Sequence, residues 1–230
     1  MNIFEKVFRK LRALLSGTDS GEALNYPQVR SIYKYEIKNA ILGYIIEGSN
    51  NPFRYAGEMK KSMSSAFSDA FNAGYVDGGG KISDMSEADK MWLNNKKTTE
   101  KGFIDQLFDR LREIKKSSKE EGQTQDEFLY EIDLEIESRS EGYAKTLDGI
   151  YDEGKLRGAK NIMLTFDGED GEESCPECRK WKGKRHKASF WIKRGLVPGQ
   201  PGNQNFSCRG YNCHHYLFDD SGQIWAGHFK

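Results

Sequence analysis

The sequence predicts a mainly α protein, a long-helix body with a small C-terminal β-containing module that its cysteines staple. Three observations carry this reading. Apolar residues recur at helical spacing from the start of the chain to about Leu156. No proline falls between Pro52 and Pro176, so nothing in that span removes a helical donor. All four cysteines lie in one late stretch, Cys175 and Cys178 in SCPEC and Cys208 and Cys213 in SCRGYNCHH. The expected organisation is an amphipathic basic helix over residues 1–16, a helical body over 17–158, and a cysteine-rich module over 159–230.

Ile3, Phe4, Val7, Phe8, Leu11, Leu14 and Leu15 form one stripe, with Lys6, Arg9, Lys10 and Arg12 between them, and Gly17 closes it. Such a helix packs on its neighbours or docks on a partner more readily than it lies on lipid, because nothing else in the chain points to a membrane. After a polar linker, Asn25 and Pro27 start a helix whose stripe runs from Val29 through Ile45. Asn51 and Pro52 start the next, with Ala56, Ala66, Ala70 and Ala73 small enough for close helix approach, and it ends in Gly78-Gly79-Gly80. Ser86 opens a third with Asp89 at the capping-box position, and Gly102 is a candidate bend. Thr124 and Glu127 form a full capping box before a last long helix reaching Leu156. These two helices are long enough for an extended hairpin. Beyond Gly158, strands are expected at Asn161–Phe166, Tyr216–Phe218 and Gln223–Trp225, the last two joined by an Asp219–Gly222 turn.

A chain of 230 residues holds one large domain, or a main domain with an appendage. With 37% hydrophobic and 30% charged residues, no stretch approaches the apolar run that a bilayer span requires. The formal net charge is zero, which argues against a generic DNA coater, but the sum hides segregation of sign. The last long helix is acidic. Between the cysteine pairs lie Arg179, Lys180, Lys182, Lys184, Arg185, Lys187, Lys193 and Arg194, interleaved with Trp181, Phe190 and Trp191. Basic residues mixed with aromatics suit a phosphate backbone or an acidic partner. The plainer reading is a solvated loop folding back on the acidic helix.

A C-x2-C turn aims two thiolates at one ion, and a second pair supplies the remaining corners of a tetrahedron. Zinc held by Cys175, Cys178, Cys208 and Cys213 is the first expectation. Because His214 and His215 follow Cys213 directly, a site of three cysteines and one histidine competes with it. Disulfides, a redox C-x-x-C and four unlinked thiols are the other readings. Disulfides need an oxidising compartment, and Met1–Ser16 lacks the continuous apolar run of a signal peptide. Residues 167–202 are poor in aliphatics, so a metal staple would have a physical task there.

The order of features resembles the phage head morphogenesis family, the minor head proteins of tailed phages. The resemblance rests on Tyr151-Asp-Glu-Gly154 ending a helix, a strand, Ser174-Cys-Pro-Glu-Cys178 with Gly183 after it, a Pro-Gly loop, then Cys208-Arg209 and a terminal hairpin. It covers mainly Tyr151–Leu217. It implies a structural capsid protein acting in head assembly inside the virion, with capsid or portal proteins and packaged DNA as partners and no enzymatic activity. Where the family commonly has His-Pro-x-Cys-Arg-Cys, this chain has no histidine before Cys208, which leaves the fourth ligand open between Cys213 and His214 or His215. Two other functions compete. One is a nucleic-acid-binding zinc module using Lys180, Lys182, Lys184, Arg185, Lys187, Lys193 and Arg194. The other is a His-metal-finger nuclease, for which no His-Asn-His arrangement is visible.

Overall fold

The computed structural model describes residues 25–46, 52–159, 161–169, 171, 174–210 and 213–227. The expected N-terminal helix, Asn51 and His228 lie outside them. Four long helices come first: α1 (Tyr26–Ile46), α2 (Phe53–Asp77), α3 (Glu87–Glu120) and α4 (Gln125–Gly158), with a short 3-10 turn at Ile82–Asp84. A four-stranded sheet follows, made of β1 (Met163–Gly168), β2 (Arg185–Lys187), β3 (His215–Phe218) and β4 (Ile224–Gly227), with short helices α5 (Pro176–Trp181) and α6 (Ala188–Lys193). The mainly helical class with a small C-terminal β-containing part is therefore what the chain adopts. No described helix is long and apolar enough to cross a membrane.

The caps act where the sequence puts them. Thr124 Oγ1 accepts from the Glu127 amide at 3.3 Å while Glu127 accepts from the Thr124 amide at 2.8 Å. The shorter Asp89 still closes its box, accepting from the Ser86 amide at 3.2 Å. Asn25 and Gln28 exchange the same pair of bonds at 3.1 Å, a box that opens α1. α3 runs unbroken through Gly102.

The chain divides into two compact units, one drawing on residues up to Asp69 and on Lys96–Ala144, the other on Ala70–Asn95 and on residues from Lys145 onward. In the first, helix packs on helix. Tyr44 of α1 meets Tyr55 and Phe108 edge-on, with ring centroids at 6.1 and 5.7 Å, and Tyr33 meets Phe67 at 6.3 Å. Lys115 donates to the Tyr44 and Ile45 carbonyls, which closes the C-terminal end of α1 with a cation. Arg30 and Lys34 bind Glu141, and Lys38 binds Glu137. The acidic face of α4 is thus neutralised here by α1. Glu100 is buried in this unit, and burial pushes its carboxyl up to about 7, with Lys96 opposing.

In the second unit the last turns of α2 and α4 touch backbone to backbone. A Cβ on Gly74 would strike the Tyr151 carbonyl, and one on Gly154 the Phe71 carbonyl; Gly78 and Gly158 repeat the pattern one turn on. Only residues without a side chain allow that approach. The sheet order is β2-β1-β3-β4, antiparallel throughout, with Leu164 facing His186 and Phe166 facing Leu217. Its core comprises Leu156, Leu164, Phe166, Trp191, Leu196, Val197, Phe206, Leu217, Trp225 and the first two cysteines. The module therefore buries more than its aliphatic content suggests, because aromatics fill it and α4 lends Leu156. Two features escape periodicity altogether. β2 is three residues long with no alternation of apolar side chains, and β1 starts and ends two residues later than expected, because its pairing with β3 reaches Gly168.

Candidate metal centre

Each cysteine pair is held by a different local device. Pro176 occupies the first turn of α5 with Cys175 at its N-cap and Cys178 one turn in, so both Sγ atoms face the same way. Cys178 is 1% exposed. The second pair sits on irregular chain. Arg209 adopts φ +50 and Gly210 φ +74, a left-handed step between Cys208 and Cys213. A side chain at Gly210 would strike the Gln200 backbone, so the 200 loop and the second pair pack in direct contact. Glu177, between the first two cysteines, accepts from the Ser207 amide at 3.1 Å and from its hydroxyl at 2.9 Å. Those bonds from Ser207 hold the Glu177 carboxyl down at about 2 and tie one pair to the other.

The thiols converge. Cys175, Cys178 and Cys208 lie with their sulfurs within 4.8 Å of one another, and so do the ligand atoms of Cys178, Cys213 and His215. Cys178 belongs to both groups, and its Sγ is 4.0 Å from that of Cys213. Four zinc–sulfur bonds of about 2.3 Å at tetrahedral angles set sulfurs about 3.8 Å apart, close to this spacing. All four cysteines are free thiols, so the disulfide reading does not describe this structure. His214 is exposed and belongs to neither group, whereas His215 is 2% exposed, on β3 beside Phe166. Between the two candidate histidines, only His215 is placed to ligate.

The Cys178 and Cys213 sulfurs share a hydrogen bond, which draws the Cys213 thiol down to about 5 against the opposing cost of burial. Amides of His215 and Gly199 donate to the Cys213 sulfur. Cys178, hydrogen-bonded to Cys213 and buried beside it, is pushed far up. Burial raises Cys208 to about 11, with the Gly210 amide opposing. A divalent cation would draw the protons from the thiols. The cluster is compatible with a bound metal.

A buried polar network that sequence reasoning missed fixes the loop between the pairs. Gln200 donates to Glu153 at 2.5 Å; Arg157 binds Glu153 at 2.6 Å and Asp89 at 2.8 Å and lies over the Trp92 ring at 4.9 Å. Its signal was present as Glu153 and Arg157 one turn apart on a face that also carries Leu156. Burial alone would raise the Asp89 carboxyl, but hydrogen bonds from Ser86 and Arg157 and the Arg157 charge bring it below its ordinary value.

The basic residues between the cysteine pairs all lie on α5, β2, α6 and the turns joining them. Lys180, Lys184, Arg185, Lys187, Lys193 and Arg194 are exposed, and Lys182 is half-buried. Arg185 pairs with Asp220, at the β3–β4 turn. Trp181 and Phe190 are half-buried and Trp191 is fully buried, so the interleaved aromatics face inward. No family model, curated protein or solved structure matches the chain.

Proposed function

We propose that the chain is a non-enzymatic minor head protein of a tailed phage, whose C-terminal module is held in shape by one structural zinc ion. The observation that carries this reading is that two cysteine pairs separated by a long insert meet in two overlapping clusters, Cys175, Cys178 and Cys208 in one and Cys178, Cys213 and His215 in the other. Cys175, Cys178, Cys208 and Cys213 supply the four corners, and His215 stands next to Cys178 and Cys213 as the one alternative ligand. Four protein ligands close the coordination sphere, leaving no position for water or substrate, as a structural rather than catalytic zinc requires. The residue order from Tyr151 to Leu217 supports the minor-head assignment. In that role the helices dock on capsid or portal subunits, and the metal fixes a basic surface that faces packaged DNA or an acidic partner. The chain is expected in purified virions, detected by mass spectrometry at a fixed ratio to the portal. Consistent absence from both proheads and mature particles would remove the assignment and leave the metal module standing.

A further inference from the structure

Residues 179–194 contain eight basic residues and no acidic one. Among the described residues no acid pairs with Lys184, Lys187 or Lys193, all of them exposed. The short edge strand β2 turns Arg185 and Lys187 outward and His186 inward. That arrangement discourages another strand from adding to the edge.

The aromatics explain what kind of anion fits. His186 stacks on Phe190 with centroids 3.8 Å apart and planes 20° from parallel. Arg194 lies 4.7 Å over the same ring. The imidazole already covers one face, so the guanidinium takes the other. Trp181 meets His186, Phe190 and Trp191 at near-perpendicular angles, and Lys180 lies 5.8 Å over it. Trp191 is buried, donating to the Leu164 carbonyl at 3.2 Å. Phe190 lies between His186 and Arg194 and Trp191 is buried, so neither offers an open face to a nucleobase, while Trp181 is half-buried with its ring edge-to-face against three neighbours.

We infer that the surface of residues 179–194 binds nucleic acid through its phosphate backbone alone, without stacking on bases. This inference rests on the metal-held module proposed above and deepens it by naming the partner. Proteins that grip single strands by stacking present free aromatic faces, and here Phe190 is covered by His186 and Arg194 and Trp191 is buried. Protein partners are gripped through buried aromatic or aliphatic anchors. The exposed large hydrophobics among the described residues all fall between Tyr35 and Tyr130, outside the module. A run of exposed cations with no exposed large hydrophobic among them matches a charged polymer better than a folded acidic protein.

The full chain, with its metal content measured on the same preparation, is titrated with four probes: a DNA duplex of random sequence, a single strand of equal length, an abasic strand, and polyglutamate. Affinity for the base-bearing and abasic strands is expected to agree within about twofold, and affinity for the duplex is expected not to depend on sequence. The triple variant K184A/K187A/K193A removes three phosphate contacts, so the slope of log affinity against log salt for the duplex falls by about 2.7, at about 0.9 per contact. Abasic binding weaker by about tenfold or more, an unchanged slope, or polyglutamate bound as tightly as DNA at matched charge would each overturn the inference. DNA binding by a preparation that proves free of metal upholds the surface and sinks the zinc reading, so the two failures are told apart.

Discussion

The helical unit and the cysteine-bearing unit keep their shapes by different means. In the first, stability is spread over many small contacts: Tyr33, Ile37, Ile41, Met59, Met63, Phe67, Ile104 and Phe108 are buried along helix faces. Any one of them can be weakened without dissolving the rest. In the second, a sheet of short strands closes around Phe166, Trp191 and Phe206, and a few special contacts carry a disproportionate share. These are four thiols, one buried ion network and glycines where backbones touch. Damage is therefore graded in the helical unit and abrupt in the other.

Breaking the thiol cluster is the harshest test of that contrast. Cys178→Ser removes the residue shared by both ligand groups, and structural zinc contributes on the order of 10 kcal/mol or more to the folding of small metal modules. The variant is expected to lose its metal and the hydrogen-exchange protection of β1–β4 while the helices of the first unit stay protected. Equal loss of protection in both units would erase the distinction between them.

The next largest effect belongs to Arg157→Leu. It leaves Asp89 and Glu153 buried without their cation, and breaking a buried pair in this way costs about 3–5 kcal/mol. Chemical denaturation should report a lower midpoint for the cysteine-bearing unit. A shift below ~1 kcal/mol would mean that water reaches those carboxylates.

Within the helical unit the sharpest probe is Glu100. Its folded pKa, about 7, lies above the ordinary 4.5, so its favourable contribution is fully present below about pH 4.5 and is lost as pH rises through 7. Glu100→Gln is therefore expected to stabilise the chain at pH 8 by roughly 2–3 kcal/mol and to change little at about pH 4. Thermal melts at the two pH values decide it, and an equal effect at both would show that the carboxyl is not buried as described.

The smallest effect expected is that of Lys38→Ala. Its pairing with Glu137 is half-exposed, and such pairs contribute about 0–1 kcal/mol. A loss above ~2 kcal/mol would mean that this unit, too, depends on single contacts.

What could be read from the residues follows the same division. Capping pairs and apolar stripes announced all four long helices, because a helix is specified by neighbours within one turn. The cysteine spacing announced all four thiols as one set, and the structure groups Cys175, Cys178 and Cys208 on one side and Cys178, Cys213 and His215 on the other. The spacing could not rank His214 against His215, since that depends on which one β3 turns inward. The short elements β2, α5 and α6 left no trace, being too brief for any period and dictated by pairing with β1 and by the thiols. Gly74, Gly78, Gly154 and Gly158 stood at four-residue spacing in plain sight, yet only the crossing of α2 and α4 gives that spacing meaning. The aromatics among the lysines were read as part of a surface for a phosphate backbone or an acidic partner, and in the structure Phe190 stacks on His186 with Arg194 over it while Trp191 is buried.

X-ray absorption at the metal edge, with elemental analysis of the purified full chain, tests the central claim most directly. One zinc per chain, surrounded by four sulfurs at about 2.3 Å, is the predicted result, with three sulfurs and one nitrogen at about 2.0–2.1 Å if His215 takes a corner. A well-folded chain containing no metal, with all four thiols open to alkylation, would contradict it.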